Sequence, residues 1–302
     1  MRLVFAGTPE VAVPSLEALH ASSHEVVGCV TRPDAPSGRG RKLRPSPVAT
    51  RAEELGIPVL KPEHPREPAF QEQLRALAPD ACPVVAYGAL LPRSALEIPT
   101  HGWINLHFSL LPRWRGAAPV QRAIMAGDTR TGTTCFRIVP ALDAGPVFDV
   151  EEVALPEATA GQLLDQLARS GAQQLVRVMD AVEAGAQPTP QPDEGVTLAA
   201  KLTPDEARLD FDAPALAVRN HVLGCSPDPG AWCLHRGERL KVHRAAIAEG
   251  VDAAPGELVT TKRQVFVGCA DGALELLEVQ AAGKRRMRAI DWARGGVDAV
   301  LA

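Results

Sequence analysis

The sequence predicts an α/β fold in two domains, and three observations lead to this prediction. The first half alternates short apolar runs with longer amphipathic segments, which is typical of a parallel sheet covered by helices on both faces. From about residue 208 the pattern changes to short strands joined by hairpin turns. The length of 302 residues also exceeds the usual size of one domain. We therefore predict a Rossmann-like, mostly parallel sheet domain followed by a smaller OB-like β-barrel domain.

The first half contains short apolar runs with the length and composition of buried strands. They lie at residues 3–6, 26–31, 58–60, 83–87 and 104–108, and amphipathic segments that predict helices lie at 12–21, 48–55 and 68–77. The first strand ends in Gly7-Thr8-Pro9-Glu10, which has one glycine where a dinucleotide-binding turn has three. The layout is therefore Rossmann-like, but it gives no support for NAD binding.

The second half begins with one more helix and then loses its periodicity. Residues 161–183 have helical spacing, whereas 185–205 are rich in Pro, Gln and Thr and indicate a linker. A helix at 213–224 follows, and short strands are predicted at 231–235, 240–245, 257–259, 264–268 and 273–279. We place a first domain at 1–188, a linker at 189–207 and a C-terminal domain at 208–302.

Composition excludes several classes of protein. No apolar run approaches the ~20 residues that span a bilayer, and the apolar stretch at the N-terminus is too short for a signal peptide. We therefore expect a cytoplasmic protein without a membrane partner. The six cysteines are scattered without a Cys-x-x-Cys pair, so we expect buried reduced thiols and no metal site.

Basic residues are concentrated in two places although the net charge is −4. The first cluster lies in a loop rich in glycine and proline and contains Arg39, Arg41, Lys42 and Arg44. The second cluster follows Gly283 and contains Lys284, Arg285, Arg286 and Arg288. Such clusters are usually only solvated, but they can also bind a phosphate backbone on a protein whose net charge is acidic.

Candidate catalytic residues lie in the predicted strand at 104–108. Asn105 and His107 are two positions apart, so their side chains project from the same face of the strand. A general base beside a neutral hydrogen-bond donor is the arrangement that acyl transfer needs. Asp143 follows in a later loop and could orient the imidazole. In the alternative interpretation, Asn105 and His107 are satisfied by backbone groups and Asp143 only forms a turn.

These residues lie in longer stretches that resemble the methionyl-tRNA formyltransferase family. The resemblance covers essentially the whole chain, in FAGTPEVAVPSLEAL, RPDAPSGRGRKL, AYGALLP, INLHFSLLPRWRGAAPVQRAI, LDAGP, SPDPGAW and AAGKRRM. It implies transfer of a formyl group from 10-formyltetrahydrofolate to the α-amino group of methionine on initiator tRNA. It also implies that the domain at 1–188 is catalytic and that the domain at 208–302 binds tRNA. The implied partners are initiator methionyl-tRNA and folate, and we expect a monomer.

The resemblance assigns roles to particular positions. It implies catalytic roles for Asn105, His107 and Asp143. The segment that contacts folate falls on Ser109, Leu110, Leu111 and Pro112, with a pterin-side loop near Ala86, Tyr87 and Gly88. The loop at 34–47, which would grip the acceptor arm of tRNA, offers Arg39, Arg41, Lys42 and Arg44 to phosphates. Neither a metal nor a covalent nucleophile is implied, and Ser109 lacks the Gly-x-Ser-x-Gly elbow of a nucleophilic serine.

Two positions depart from the family pattern. Val11 stands where an aromatic residue associated with the methionine side chain is common, so the amino-acid pocket is expected to differ in shape. Phe108 stands where a small residue is common, and strand alternation predicts that it faces away from the pocket.

Two other functions remain open from the sequence. A folate enzyme that formylates a small amine would keep Asn105, His107 and Asp143, but it would not need the basic loop or the second domain. A non-catalytic RNA-binding module would not need the combination of these three residues with the Ser109–Pro112 segment.

Overall fold

The computed structural model describes residues 1–37, 42–297 and 300–302. Contacts within the chain define two units, and neither is a single continuous stretch. Unit 1 comprises Met1–Gly116, Gly132–Val153 and Leu164–Leu198, and unit 2 comprises Ala117–Thr131, Ala154–Leu163 and Ala199–Ala302. The domain boundaries placed at residues 188 and 208 stay a prediction.

Unit 1 is built on a seven-stranded sheet with the strand order β10-β9-β7-β6-β1-β2-β5. The strands of the first two thirds of the chain are β1 (Arg2–Gly7), β2 (Glu25–Val30), β3 (Ala35–Ser37), β4 (Lys42–Arg44), β5 (Val59–Leu60), β6 (Cys82–Val85), β7 (Trp103–His107), β8 (Arg115–Gly116), β9 (Arg130–Arg137), β10 (Val147–Ala154) and β11 (Leu198–Ala199). Strands β5, β2, β1, β6 and β7 are parallel, and β9 pairs antiparallel with β7. The predicted strands and their parallel arrangement are confirmed.

The central strands are apolar because both of their faces are buried. In β1, residues 3–6 are fully buried, and one face packs in a cluster with Val30, Val84 and Trp103. A continuous apolar run of this kind is expected when helices cover both faces of a parallel sheet.

Two of the helices begin at a side-chain cap that the sequence supplies. The helices are α1 (Val13–His20), α2 (Pro47–Glu54), α3 (Pro68–Ala76), α4 (Arg93–Leu96), α5 (Pro119–Met125), α6 (Ala160–Glu183), α7 (Ala215–Gly224) and α8 (Ala289–Ala293), with a 3-10 turn at Glu10–Ala12. At α2 the Ser46 hydroxyl accepts from the Ala49 amide at 3.0 Å, and Pro47 takes the first helical position. At α6, Thr159 and Gln162 form a reciprocal capping box.

The order of the strands determines where a ligand site can form. The chain runs from β1 outward through β2 to β5 and then returns to place β6 on the other side of β1. The strand order therefore reverses between β1 and β6. In an open α/β sheet, ligands bind outside the carboxyl ends of the strands at such a reversal. The segments after β1, β2, β6 and β7 all leave the sheet at this edge.

Unit 2 contains a six-stranded antiparallel sheet that curves into a half-barrel. Its strands are β12 (Trp232–His235), β13 (Glu238–Ala248), β14 (Leu258–Thr260), β15 (Val265–Cys269), β16 (Gly272–Ala281) and β17 (Met287–Arg288), in the order β12-β13-β16-β15-β14 with β17 on β16. An irregular register in β13 around Arg244 bends this long strand. Helix α7 packs on α5 and on the sheet. The prediction of a second, smaller fold made of short strands is confirmed. The sequence pattern did not predict β17 and α8.

Within the described ranges, no helix is both long enough and apolar enough to cross a membrane. The six cysteines are buried free thiols, as expected from their scatter in the sequence.

Gly132 generates a testable prediction about packing in unit 1. A Cβ at this position would lie 1.9 Å from the backbone oxygen of Glu151, which cannot rotate away. We expect Gly132→Ala to lower the free energy of unfolding by about 1–3 kcal/mol, because β9 and β10 must separate. Thermal or urea unfolding measures this loss. Gly272→Ala is the matched control, because its nearest neighbour would be 3.9 Å away. Equal stability of the two variants would contradict the packing described here.

Candidate active site

Asn105 and His107 lie on β7, which is hydrogen-bonded on both sides. Asn105 pairs with Val84 of β6 and with Phe136 of β9, and His107 pairs with Thr134 of β9. The backbone beneath both side chains is therefore fixed. His107 is 6% exposed, whereas Asn105 is half-buried. The side-chain amide of Asn105 has no hydrogen-bond partner among the described residues, so it is available to a ligand.

One contact fixes the tautomer of His107. Its Nε2 atom lies 2.9 Å from the backbone oxygen of Trp114. A carbonyl oxygen can only accept, so Nε2 carries the proton and donates. In the neutral imidazole the lone pair is then on Nδ1, which lies 3.8 Å from Oδ2 of Asp143. This distance is too long for a hydrogen bond but short enough for a strong charge interaction.

Burial keeps His107 neutral. Removal of the imidazole from water lowers the pKa of His107 below its ordinary value of 6.5, and the Asp143 charge and the Trp114 carbonyl oppose this shift only in part. The ring is also packed edge-on against Phe136, with 6.3 Å between centroids. At neutral pH the site therefore holds an uncharged base beside a carboxylate.

Asp143 occupies a constrained loop between β9 and β10. Its backbone has a φ of 45°, a left-handed conformation that a non-glycine residue adopts only where its surroundings hold it there. Its Oδ2 accepts from the Gly116 amide at 2.8 Å. Two positions later, a Cβ on Gly145 would lie 1.7 Å from the Arg137 oxygen, so this turn requires glycine.

The segment at 109–112 forms a fixed turn directly after β7. The Thr134 hydroxyl donates to the Ser109 oxygen at 2.7 Å and accepts from the Leu111 amide at 3.2 Å. The Ser109 hydroxyl is buried and donates to the Arg113 oxygen at 2.7 Å. Ser109 therefore acts as a turn former, and Leu110 and Pro112 are the half-exposed members of the segment.

The segment at 86–88 follows β6 at the same edge of the sheet. Ala86 and Gly88 are exposed and both have positive φ. Tyr87 is 3% exposed and packs with Val4, Val84 and other apolar residues. Burial raises the pKa of Tyr87 to about 12. A ligand can therefore meet this segment at its backbone and at Ala86 and Gly88, but the Tyr87 ring belongs to the core.

Thr8 connects three neighbouring strand ends. Its hydroxyl donates to the Tyr87 oxygen at 2.8 Å and accepts from the Arg32 amide at 3.2 Å. Beyond Thr8 and Arg32 a groove of about 1000 Å³ is open to solvent, and Glu10, Arg44 and Ser46 also line it. The groove therefore extends along the edge of the sheet where the segments after β1 and β2 leave it.

The basic loop borders this groove. Its described part is a two-stranded hairpin in which Ala35 pairs with Arg44 and Pro36 pairs with Leu43. Lys42 and Arg44 are exposed. The predicted tRNA-binding residues Arg39 and Arg41 lie outside the described residues.

Several residues that build the site were not identified from the sequence. They are Gly116, Thr134, Gln191 and Thr197, together with the backbone oxygen of Trp114. Gln191 and Thr197 lie in the stretch predicted as a linker, where no periodicity marks them. Their positions depend on contacts with segments about 50 to 80 residues away in the chain, and a local pattern cannot show such contacts.

A group of metal-ligand type occurs elsewhere in the described part of the chain. His24, Asp180 and Glu183 bring a ring nitrogen and two carboxylates within reach of one another. His24 directly precedes β2, so it lies at the amino ends of the parallel strands. His107 lies at the opposite edge of the sheet and does not belong to this group.

The sequence matches two profiles of one enzyme family. The profile described as "Formyl transferase" matches residues 1–179, and the profile described as "Formyl transferase, C-terminal domain" matches residues 201–296. A protein of Streptomyces coelicolor named "Methionyl-tRNA formyltransferase" is 60% identical over 299 residues, which cover 98% of this chain and 96% of that protein.

Two solved structures show the same fold at low identity. HypX from Aquifex aeolicus, in complex with tetrahydrofolic acid, superposes with a TM-score of 0.69 at 17% identity and covers 97% of this chain, which spans 46% of HypX. Methionyl-tRNA formyltransferase from Clostridium thermocellum has a TM-score of 0.59 at 14% identity and covers 83% of this chain and 95% of that one. The high identity over the full length, rather than the shared fold, shows the relationship: the chain belongs to the methionyl-tRNA formyltransferase family.

Proposed function

We propose that the chain transfers the formyl group of 10-formyltetrahydrofolate to the α-amino group of methionyl initiator tRNA for translation initiation. The products are N-formylmethionyl-tRNA and tetrahydrofolate. The observation that carries this proposal is the placement of a neutral His107 beside Asp143 and an unpartnered Asn105 at the carboxyl edge of the sheet. Relatives that are 54–60% identical over nearly the whole chain carry the name of this activity.

His107 handles the proton of the attacking amine. Its Nδ1 lone pair is available because Nε2 is held by the Trp114 oxygen. When Nδ1 accepts a proton, the imidazolium lies 3.8 Å from the Asp143 carboxylate, which stabilises the new charge. His107 can pass this proton to the nitrogen that loses the formyl group, so the reaction needs no other proton source.

Asn105 stabilises the charge that develops on the formyl oxygen. Its side chain projects from the same face of β7 as His107, and the N–H groups of its side-chain amide are free to donate. A fixed donor in such a site typically contributes about 10²–10³ in rate, because it is already oriented when the charge appears.

The turn after β7 and the segment after β6 fit a folate. 10-Formyltetrahydrofolate supplies the activated formyl carbon of the reaction. Leu110 and Pro112 offer a half-exposed apolar surface directly after β7, Leu111 is buried, and the Ser109 backbone is held by Thr134. Ala86 and Gly88 present exposed backbone at the same edge, which suits the polar edge of a pterin ring. The tetrahydrofolic acid in the complex of HypX supports this assignment.

The basic clusters bind the tRNA. Lys42 and Arg44 lie beside the groove, and Arg39 and Arg41 belong to the same basic stretch of the sequence. In unit 2, Lys284, Arg285, Arg286 and Arg288 are exposed. Arg286 is paired with Glu278, and Arg288 with Asp291. Lys284 and Arg285 have no acidic partner in the described residues and are the stronger candidates for phosphate contacts.

The remaining assignments follow from this activity. A chain that formylates charged initiator tRNA acts where translation takes place, so we place it in the cytoplasm. The proposed chemistry assigns proton transfer and charge stabilisation to side chains of one chain. It therefore works in a monomer and requires no metal.

One assay tests the function. The protein is incubated with 10-formyltetrahydrofolate and charged initiator tRNA, and N-formylmethionine is released from the tRNA and quantified. Charged elongator tRNA, free methionine and a small amino sugar nucleotide serve as alternative acceptors. We expect formylation of the initiator tRNA alone. Equal or faster formylation of the small amine would contradict the tRNA assignment.

Loss of the three side chains tests the mechanism. We expect Asn105→Ala to lower kcat/KM for formyl transfer by about 10²–10³, because one donor to the developing charge is lost. His107→Ala and Asp143→Ala are each expected to lower turnover by orders of magnitude. His101→Ala is the matched control, because its side chain lies in a turn outside the site. Near-normal turnover of the purified variants would exclude these roles.

The protonation of His107 can be measured directly. We expect ¹⁵N NMR to show a titration midpoint for the His107 imidazole below 6.5, with the proton of the neutral form on Nε2. The imidazole is then neutral, and able to act as a base, at every pH above that lowered midpoint. In Asp143→Asn the midpoint is expected to fall further, because the stabilising negative charge is removed. Glu25→Gln, which removes an exposed acid at the amino end of β2, serves as control. A midpoint above 6.5 in the unmodified protein would contradict the burial argument.

The salt dependence of tRNA binding tests the basic loop. We expect the double variant Lys42→Gln with Arg44→Gln to weaken binding of initiator tRNA and to reduce the slope of log Kd against log salt by about 1 to 2. Filter binding between low and moderate salt measures the slope. Arg66→Gln with Arg75→Gln removes two exposed charges elsewhere in unit 1 and is the control. An unchanged slope in the loop variant would rule out these phosphate contacts.

A further inference from the structure

Gln191 lies at the centre of a hydrogen-bond circuit around Asp143. Its Nε2 atom donates to the backbone oxygens of Asp143 and Gly145, each at 2.8 Å. Its Oε1 atom accepts from Nη2 and Nε of Arg115 at 2.7 Å and 3.2 Å. A primary amide has two N–H groups and two lone pairs, so every hydrogen-bonding position of this side chain is used.

The circuit closes through the Asp143 carboxylate. The Gly116 amide, directly after Arg115, donates to Oδ2 of Asp143 at 2.8 Å. Asp143 is thus held at its backbone by Gln191 and at its side chain by Gly116, and Arg115 connects the two. This double restraint accounts for a left-handed backbone at a non-glycine residue.

The chain around Gln191 is attached to the site on both sides of an exposed stretch. Thr189 pairs with Val147 at the start of β10. Thr197 accepts from the Trp114 amide through its hydroxyl at 2.8 Å and from the Arg115 amide through its backbone oxygen at 2.9 Å. Residues 192–196 between these contacts are exposed. The 189–197 segment therefore contacts the site through a few specific residues and does not act as a spacer there.

We propose that Gln191 is a positioning residue for the reaction: it holds the Asp143 loop against Arg115 so that the Asp143 carboxylate stays beside Nδ1 of His107. Only glutamine satisfies this geometry. Glutamate has the length but no donors, asparagine is one methylene too short, and methionine fills the volume without hydrogen bonds. This role rests on the proposed formyl transfer and deepens it.

The test compares Gln191→Met and Gln191→Glu with the same changes at Gln187. Gln187 lies four residues earlier in an exposed position, and its side-chain amide donates to the Gly185 oxygen, so its variants are matched controls. We expect both Gln191 variants to lower kcat by about 10- to 100-fold, because a displacement of about 1 Å in such a site has an effect of this size. KM for either substrate should change by less than about twofold, because the Gln191 side chain has no hydrogen-bonding position left for a substrate.

A second measurement separates positioning from simple loss of stability. The ¹⁵N titration of His107 needs no substrate and should move toward the midpoint of Asp143→Asn in the Gln191 variants. If Gln191→Met does not yield folded protein, Gln191→Glu, which keeps the Arg115 contact, carries the test. A wild-type kcat in the Gln191 variants would overturn the proposal. A lowered kcat with a lowered Tm and an unmoved titration midpoint would also overturn it, because it indicates only a structural role.

The two proposals fail in different ways. If the unmodified protein does not formylate methionyl-tRNA, the proposed function fails whatever the Gln191 variants do. If the unmodified protein is active and the Gln191 variants match it in kcat and in the His107 midpoint, only the positioning role fails.

Discussion

The hydrogen bond from His107 Nε2 to the Trp114 oxygen is the interaction on which the site depends. It fixes which ring nitrogen carries the proton and therefore which one is free to accept another. The bond requires the chain to turn back within seven residues after β7, and Trp114 makes that turn with a φ of 63°. Thr134, Ser109 and Thr197 hold the turn through separate hydrogen bonds. The chemistry of one strand residue thus relies on the backbone of the segment that follows it.

The second constraint is the balance between burial and charge at His107. Burial favours the neutral base, and Asp143 at 3.8 Å favours the charged acid. A base that must accept a proton and then release it needs both influences. A carboxylate in full hydrogen-bond contact with Nδ1 would hold the imidazole in its charged form, whereas a distant one would not stabilise the product of proton transfer. In the proposed reaction the distance between the two side chains therefore matters, and hydrogen bonds hold the loop that carries Asp143 in place.

Three of the non-glycine residues with positive φ lie in segments of the site: Ala86, Trp114 and Asp143. Such conformations cost free energy and persist only where neighbouring contacts over-determine them. Ala86 follows β6, Trp114 lies in the turn after β7, and Asp143 lies in the loop after β9. The backbone hydrogen bonds of these strands provide a rigid base. The stable part of unit 1 thus supports the strained segments where the proposed reaction takes place.

The sequence by itself determined the α/β class and the positions of most strands along the chain, and it singled out Asn105, His107 and Asp143 as candidate catalytic residues. Apolar runs and alternation report burial directly, and strand alternation places positions two apart on one face. Only the tertiary structure decided that the Tyr87 side chain belongs to the core, that Nε2 of His107 carries the proton, and that Gln191 restrains the Asp143 loop. The physical reason is that these features depend on contacts between segments far apart in the chain. Gln191 is 48 residues from Asp143 and 76 from Arg115, and no local periodicity encodes such a contact.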